Sequence, residues 1–93
     1  MLTLQTKVII PKDVLFHKVD DEMVLLNLVN GKYFSLDDVG ADIWSLIVEK
    51  GDLDAVHQSL IQQYEVNSQD LEHDLLELAG RLVENELLQI VEP

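Results

Sequence analysis

Hydrophobic and polar residues alternate in short runs over the first third of the chain, a pattern that predicts β-strands. We predict three strands, at residues 14–19, 23–29 and 32–36, and Asn30-Gly31 joins the last two. This pair is a strong hairpin signal, because both residues accept the positive φ of a tight turn. Residues 7–13 contain further short β-rich pieces, which Pro11 interrupts.

The turn also predicts a strand register. A two-residue loop at Asn30-Gly31 would pair Leu28 with Tyr33 and place alternate side chains on opposite faces. The face expected to be buried contains Val24, Leu26, Leu28 and Tyr33. Phe34 and Leu36 fall on the other face, so the third strand needs either a bulge or a second covered surface.

After residue 36 the spacing of apolar residues changes from 2 to 3.6, which predicts helices. Three residues can cap them, namely Asp37, Asp52 and Asn67, and Gly51 ends the first helix. The side chains expected to face the core from the first two helices are Val39, Ile43, Leu46, Ile47, Leu53, Val56, Leu60 and Tyr64. A last strand is an option at residues 87–91. The pattern predicts one α+β domain over residues 1–93, with a three-stranded antiparallel sheet followed by three helices.

The apolar surface of the third helix is unusually wide. One stripe contains Leu71, Leu75, Leu78 and Leu82, and a second stripe beside it contains Leu76, Ala79 and Val83. Together they span an arc of about 160°, whereas an amphipathic helix needs roughly 100°. Either the whole arc faces the core, or one stripe faces a groove. In the second case we expect Leu76 or Ala79 in the groove and Leu78 or Leu82 in the core.

Charge and composition exclude several classes of protein. The net charge of −12 repels phosphate backbones and anionic lipid, so we expect neither nucleic acid nor a membrane as partner. The lack of cysteine rules out disulfides and thiolate metal sites, which favours the cytoplasm. A winged-helix transcription factor would need several basic residues on its third helix, but Arg81 is the only one there.

Residues with catalytic chemistry form no pattern. His17, His57 and His73 fall on different predicted elements without metal-ligand spacing, and nucleotide-binding or nucleophile motifs are absent from the sequence. We therefore expect no catalytic site, no metal and no cofactor. What remains is a binding surface: an edge strand can accept an added strand, and the third helix can form the other wall of a groove.

The stretch "VLLNLVNGKYFSLDDVGADIW" resembles the signature of the PqqD family. That signature has an aliphatic strand, a polar residue-Gly turn, a basic residue, two aromatics, then Val-Gly and an aliphatic-Trp pair. The later helices continue the likeness, which covers about four-fifths of the chain. The resemblance implies a winged-helix-like fold and a recognition element for ribosomally made, post-translationally modified peptides.

In such domains the leader segment of a precursor peptide binds as an antiparallel strand against the third strand, in a cleft closed by the third helix. Carried onto this sequence, the resemblance implies a peptide-binding set of Lys32, Tyr33, Phe34, Ser35, Leu75, Leu76, Leu78, Ala79 and Leu82.

The resemblance also implies partner enzymes. We favour the lasso-peptide type, which serves a leader peptidase and a cyclase, because an acidic body with an apolar groove suits leaders that contain aromatic, proline and basic residues. A peptide chaperone of pyrroloquinoline quinone synthesis, which serves a radical enzyme, is the alternative within the family. An acidic adaptor that docks on a folded protein is the alternative outside it. The edge strand could also pair with its own copy to form a homodimer.

Overall fold

The computed structural model describes residues 2–91, and the predicted α+β architecture is confirmed. Five strands and three helices follow one another along the described chain. They are β1 (Val8–Ile9), β2 (Val14–Val19), β3 (Glu22–Asn27), β4 (Tyr33–Leu36), α1 (Asp38–Lys50), α2 (Leu53–Gln63), α3 (Ser68–Glu84) and β5 (Gln89–Ile90). The third strand predicted from the sequence is therefore β4, because the short β1 precedes the main sheet.

Two separate sheets contain these strands. β2, β3 and β4 form an antiparallel sheet in that order, which leaves β4 at an edge. β1 pairs antiparallel with β5, joining the beginning of the described chain to its end. The optional last strand at residues 87–91 is present in a shorter form, at Gln89–Ile90.

The helices begin where their capping side chains predict. Asp37 accepts a hydrogen bond from the Gly40 N–H, and the side chains of Asp52 and Asn67 accept from the first turns of α2 and α3. Gly51 ends α1 with φ 67°, a left-handed conformation that costs glycine little. The chain can therefore turn sharply between α1 and α2.

The predicted hairpin exists, but its predicted register is wrong. Leu26 pairs with Tyr33 and Leu25 with Phe34, which shifts β3 by two residues from the register that a two-residue loop would give. The loop is longer because the buried Asn27 closes it: its side-chain oxygen accepts from the N–H groups of Val29 and Asn30, at 2.8 and 3.2 Å. Gly31 then takes φ 74°.

The prediction of which sheet face is buried is also wrong. Met23, Leu25 and Leu36 lie in the core, whereas Tyr33 is 73% exposed and Leu28 56% exposed. Phe34 and Leu36 need no bulge, because they lie on the true core face opposite Leu25 and Met23. The polar Asn27 shares that face and is what made it look solvated in the sequence.

The core lies between this sheet face and the three helices. Trp44 is fully buried, and its ring meets that of Phe16 edge to face with centroids 5.5 Å apart. From α1 and α2 the buried apolar side chains include Ile43, Ile47, Leu53, Val56 and Leu60, as predicted. Val39 instead is 42% exposed, because it lies at the start of α1, beside the groove described below.

The corrected face makes a direct prediction about stability. Leu25 is fully buried, so Leu25→Ala should lower the free energy of unfolding by about 2–5 kcal/mol through lost burial and a new cavity. The matched control, Leu28→Ala, should change it by no more than about 0.5 kcal/mol because Leu28 is exposed. Urea denaturation measures both. Equal losses would contradict the observed face.

Candidate functional site

A groove lies between the edge strand β4 and the helix α3. This groove has a volume of about 370 Å³ and draws its lining from three elements. Phe34, Ser35 and Leu36 come from β4, and Asp37, Val39, Gly40 and Ile43 from the turn into α1 and its first turns. Asp74, Leu78 and Arg81 come from α3. The edge strand therefore forms one wall, α1 the floor and α3 the other wall.

The backbone of β4 offers free hydrogen-bonding groups to this groove. The Asn27 N–H donates to the Lys32 carbonyl at 2.9 Å, so these two residues form a hydrogen-bonded pair. Bonded and non-bonded pairs alternate along an antiparallel ladder, so Phe34 and Leu36 bond inward to β3. The N–H and C=O groups of Tyr33 and Ser35 then point away from the sheet, where an added strand could pair with them.

The floor depends on a close approach between α1 and β4. A Cβ built on Gly40 would lie 3.1 Å from the Leu36 Cβ and 3.3 Å from the Asp37 Oδ1. Any side chain here would have to displace its neighbours, so glycine lets α1 begin directly under the edge strand. Ile43, one turn later, supplies the apolar base of the groove.

The helical wall differs from the one expected from the sequence. Leu75, Ala79 and Leu82 are fully buried, while Leu78 is half-buried and lines the groove. Relative to Leu75, Leu78 lies about 60° to one side around the helix and Ala79 about 40° to the other. The structure therefore departs from the expected assignment at two residues, with Leu78 in the groove and Ala79 in the core, while Leu82 lies in the core as expected.

The other predicted residues are distributed as follows. Leu76 is half-buried on the far flank of α3, beside Gln69, Glu72 and His73, and away from the groove. Lys32, Tyr33 and Ser35 are exposed, and Phe34 is half-buried at the groove. Of the nine predicted residues, only Phe34, Ser35 and Leu78 line the groove itself.

Sequence reasoning missed the contribution of α1 and the two charged residues of α3. Val39 and Ile43 share a helix face with Ile47, so the sequence predicts that they face the core, and nothing local shows that α1 begins under β4. The signal for Arg81 was present, since it is the only basic residue in α3. Its guanidinium carbon lies 5.1 Å from the centroid of the Phe34 ring, across the groove.

The described residues contain no evident centre for metal chemistry. Within residues 2–91 no three side chains of His, Asp or Glu come together in a way that could hold a metal ion. Over the same residues, no helix is long and apolar enough to cross a membrane. The groove offers backbone donors and acceptors, apolar side chains and separate charges, which are means of binding an extended chain.

The chain is similar to one protein family and to solved structures. Residues 22–88 match the family model described as "Coenzyme PQQ synthesis protein D (PqqD)". The structure of "TbiB1 in Complex with the TbiA(beta) Leader Peptide" is 38% identical, with TM-score 0.81, over 85% of this chain and 92% of that one. A second, "Lasso peptide synthetase B1 complexed with the leader peptide", is 28% identical, with TM-score 0.78, over 92% and 99% of the two chains. No curated protein matches the sequence.

The division of α3 into a core side and a groove side predicts a difference between neighbouring residues. Ala79→Asp buries an unpaired carboxylate and should lower the free energy of unfolding by at least about 3 kcal/mol. Leu78→Asp places its carboxylate in the open groove and should cost less than about 2 kcal/mol. Thermal and urea unfolding of the two variants measure the difference. If Leu78→Asp proves the more damaging, the groove-side assignment is wrong.

Proposed function

Because the chain belongs to the PqqD family, we propose that it captures the leader segment of a ribosomally made precursor peptide by β-strand addition to β4. The observation that carries the proposal is the edge of β4, whose outward N–H and C=O groups face a groove with apolar walls. Both similar solved structures are complexes with a leader peptide, which supports the same role here.

Strand addition explains how so few exposed side chains could give a specific site. Main-chain hydrogen bonds to Tyr33 and Ser35 would hold the peptide in register. Alternate peptide side chains would then point into the groove, toward Phe34, Ile43 and Leu78. Two or three such pockets offset the ordering of a flexible segment and give sub-micromolar to micromolar affinity.

We assign the protein to lasso-peptide biosynthesis rather than to pyrroloquinoline quinone synthesis. Both similar structures carry leader peptides, and one of them is a lasso peptide synthetase B1. In this assignment the domain catalyses nothing by itself and presents its peptide to a leader peptidase or another maturation enzyme. In pyrroloquinoline quinone synthesis, the alternative within the family, a radical enzyme would receive the peptide.

The acidic-adaptor alternative rests on the net charge of −12. Docking through an acidic surface depends on long-range charge, so its affinity should fall steeply with salt. The affinity of strand addition into an apolar groove should fall only modestly between about 0.05 and 0.5 M NaCl, because few of its contacts are screened by salt. The salt dependence therefore separates the two functions.

Binding of a leader peptide is the first test of the proposal. A fluorescent synthetic peptide of about 15–25 residues, taken from the precursor encoded beside this gene, should bind with a Kd in the sub-micromolar to micromolar range. Fluorescence anisotropy measures it. Leu78→Asp should abolish this binding in folded protein, while Leu76→Asp, on the far flank of α3, should retain it. Failure of the wild-type protein to bind at tens of micromolar would remove the proposal.

Proline substitution tests the strand pairing itself. Ser35→Pro removes an outward N–H and should weaken leader binding about tenfold or more, or about 1.4 kcal/mol, with a near-native melting curve. Phe34→Pro removes an inward N–H that bonds to β3, so it should destabilise the fold instead. If Ser35→Pro is folded and binds the leader with unchanged affinity, the peptide does not add to β4.

The same edge could pair with a second copy of the chain, as the sequence suggested. A homodimer formed in that way would occupy the groove edge and compete with the leader peptide. Sedimentation with and without the peptide distinguishes the two arrangements, because peptide binding should convert such a dimer into monomers.

A further inference from the structure

The two ends of the groove carry opposite charges. Arg81, the single arginine of the chain, lies over the Phe34 ring at the end nearest the β3–β4 hairpin. Lys32 precedes β4 at that end, and strand alternation puts its side chain on the same side as that of Phe34. At the other end, where β4 leads into α1, the groove is lined by the carboxylates of Asp37 and Asp74.

A hydrogen bond fixes the direction of this charge difference. The Asn27 side-chain amide donates to the Glu86 carbonyl at 2.7 Å, which joins the hairpin to the chain just after α3. α3 therefore runs toward the hairpin, whereas β4 runs away from it. Asp74 and Arg81 are seven residues apart on α3, which separates them by about 10 Å along the helix axis.

Both helix charges are available to a ligand. Among residues 2–91 the salt bridges are those of Lys50 with Glu49 and of His73 with Glu77, so neither Asp74 nor Arg81 is engaged in one. The guanidinium carbon of Arg81 lies over the Phe34 ring, 5.1 Å from its centroid. A guanidinium group can bind a carboxylate through two parallel N–H hydrogen bonds, so Arg81 could bind an acidic side chain of a peptide in this way.

We propose that these charges make the groove select its peptide by the order of charges along the chain, in the pattern basic–x–apolar–x–acidic from the N-terminus to the C-terminus. The inference rests on the proposed function, since it describes the peptide of that same site. A strand antiparallel to β4 enters at the acidic end and leaves at the Arg81 end. Its basic residue then meets Asp37 and Asp74, and its acidic residue meets Arg81 and Lys32.

The spacing follows from strand geometry. Side chains on one face of a strand recur every second residue, or about 6.8 Å, so residues four apart are about 13.5 Å apart. Long basic and acidic side chains at that spacing can reach charges about 10 Å apart along α3. The residue midway between them points toward Leu78 and Ile43, which explains why it should be apolar.

Charge order can be separated from overall charge. A protein of net charge −12 attracts any basic peptide, whatever its sequence. Only the contacts within the groove distinguish two peptides of identical composition. Two peptides in which Lys and Glu exchange places on either side of one apolar residue form such a pair.

The test uses two fluorescent 16-residue peptides with Ser/Thr/Gln flanks. One has a Lys–Thr–Phe–Thr–Glu centre and the other a Glu–Thr–Phe–Thr–Lys centre. By anisotropy, the wild-type protein should bind the first about fivefold more tightly or better, because two ion pairs replace two like-charge contacts. The preference should shrink at 0.5 M NaCl, since exposed charges are screened.

Charge reversal in the protein completes the design. The double variant Asp74→Lys/Arg81→Glu should lose the preference, because Asp37 and Lys32 then oppose the reversed helix charges, and its melting curve controls for folding. Equal affinities or equal failure to bind in the wild-type protein, a wild-type preference for the second peptide, or an undiminished preference in the folded double variant would each overturn the charge-order rule. The proposed function is tested separately: a leader peptide that binds, and is weakened by Ser35→Pro, supports strand addition even when this rule fails.

Discussion

The shape of the groove depends on the hydrogen bonds of the Asn27 side chain. Its oxygen accepts from two N–H groups of the hairpin loop, while its nitrogen donates to the Glu86 carbonyl beyond α3. Because the amide is buried, each of these bonds would be costly to leave unmade. Asn30 adds a second link, from its side-chain nitrogen to the Glu86 carboxylate at 2.6 Å. These hydrogen bonds hold the edge strand and α3 together at the hairpin end of the groove.

A second constraint comes from the sheet, which can bury only one of its faces against three helices. Leu25 and Trp44 are fully buried where the central strand meets α1. That packing brings the first turn of α1 against β4, at Gly40 and Leu36. The groove floor therefore results from the same packing of α1 against the sheet that forms the core. A ligand groove formed in this way needs no loop to shape it, so its walls are regular elements whose side-chain positions are fixed by packing.

The sequence predicted the elements well because their signals are local. Asp37, Asp52 and Asn67 cap the helices by bonds within three residues, and apolar periodicity shows where each helix runs. The predicted register was wrong because the buried Asn27 side chain closes a longer loop, through bonds to Val29 and Asn30 and a tertiary bond to the Glu86 carbonyl. These bonds outweigh the local preference of Asn30-Gly31 for a two-residue loop. The prediction of which α3 residues line the groove was wrong for a related reason. Leu78 and Ala79 are neighbours on a wide apolar arc, and only the placement of β4 decides which of them is covered. Function was recognisable because the family signature spans the hairpin and the start of α1, where the edge and the floor are built.

The β1–β5 ribbon has a practical consequence for anyone who wants to use this domain as a tool. Val8 pairs with Ile90, so the first and last described strands lie side by side. None of their residues lines the groove between β4 and α3. A fluorophore on an exposed residue of this ribbon, such as Ile9 or Gln89, would therefore lie outside the groove and could report on the domain without lining the peptide site. Two domains linked through their ribbons could in the same way hold two peptides at once, which makes the fold a convenient module for scaffolding.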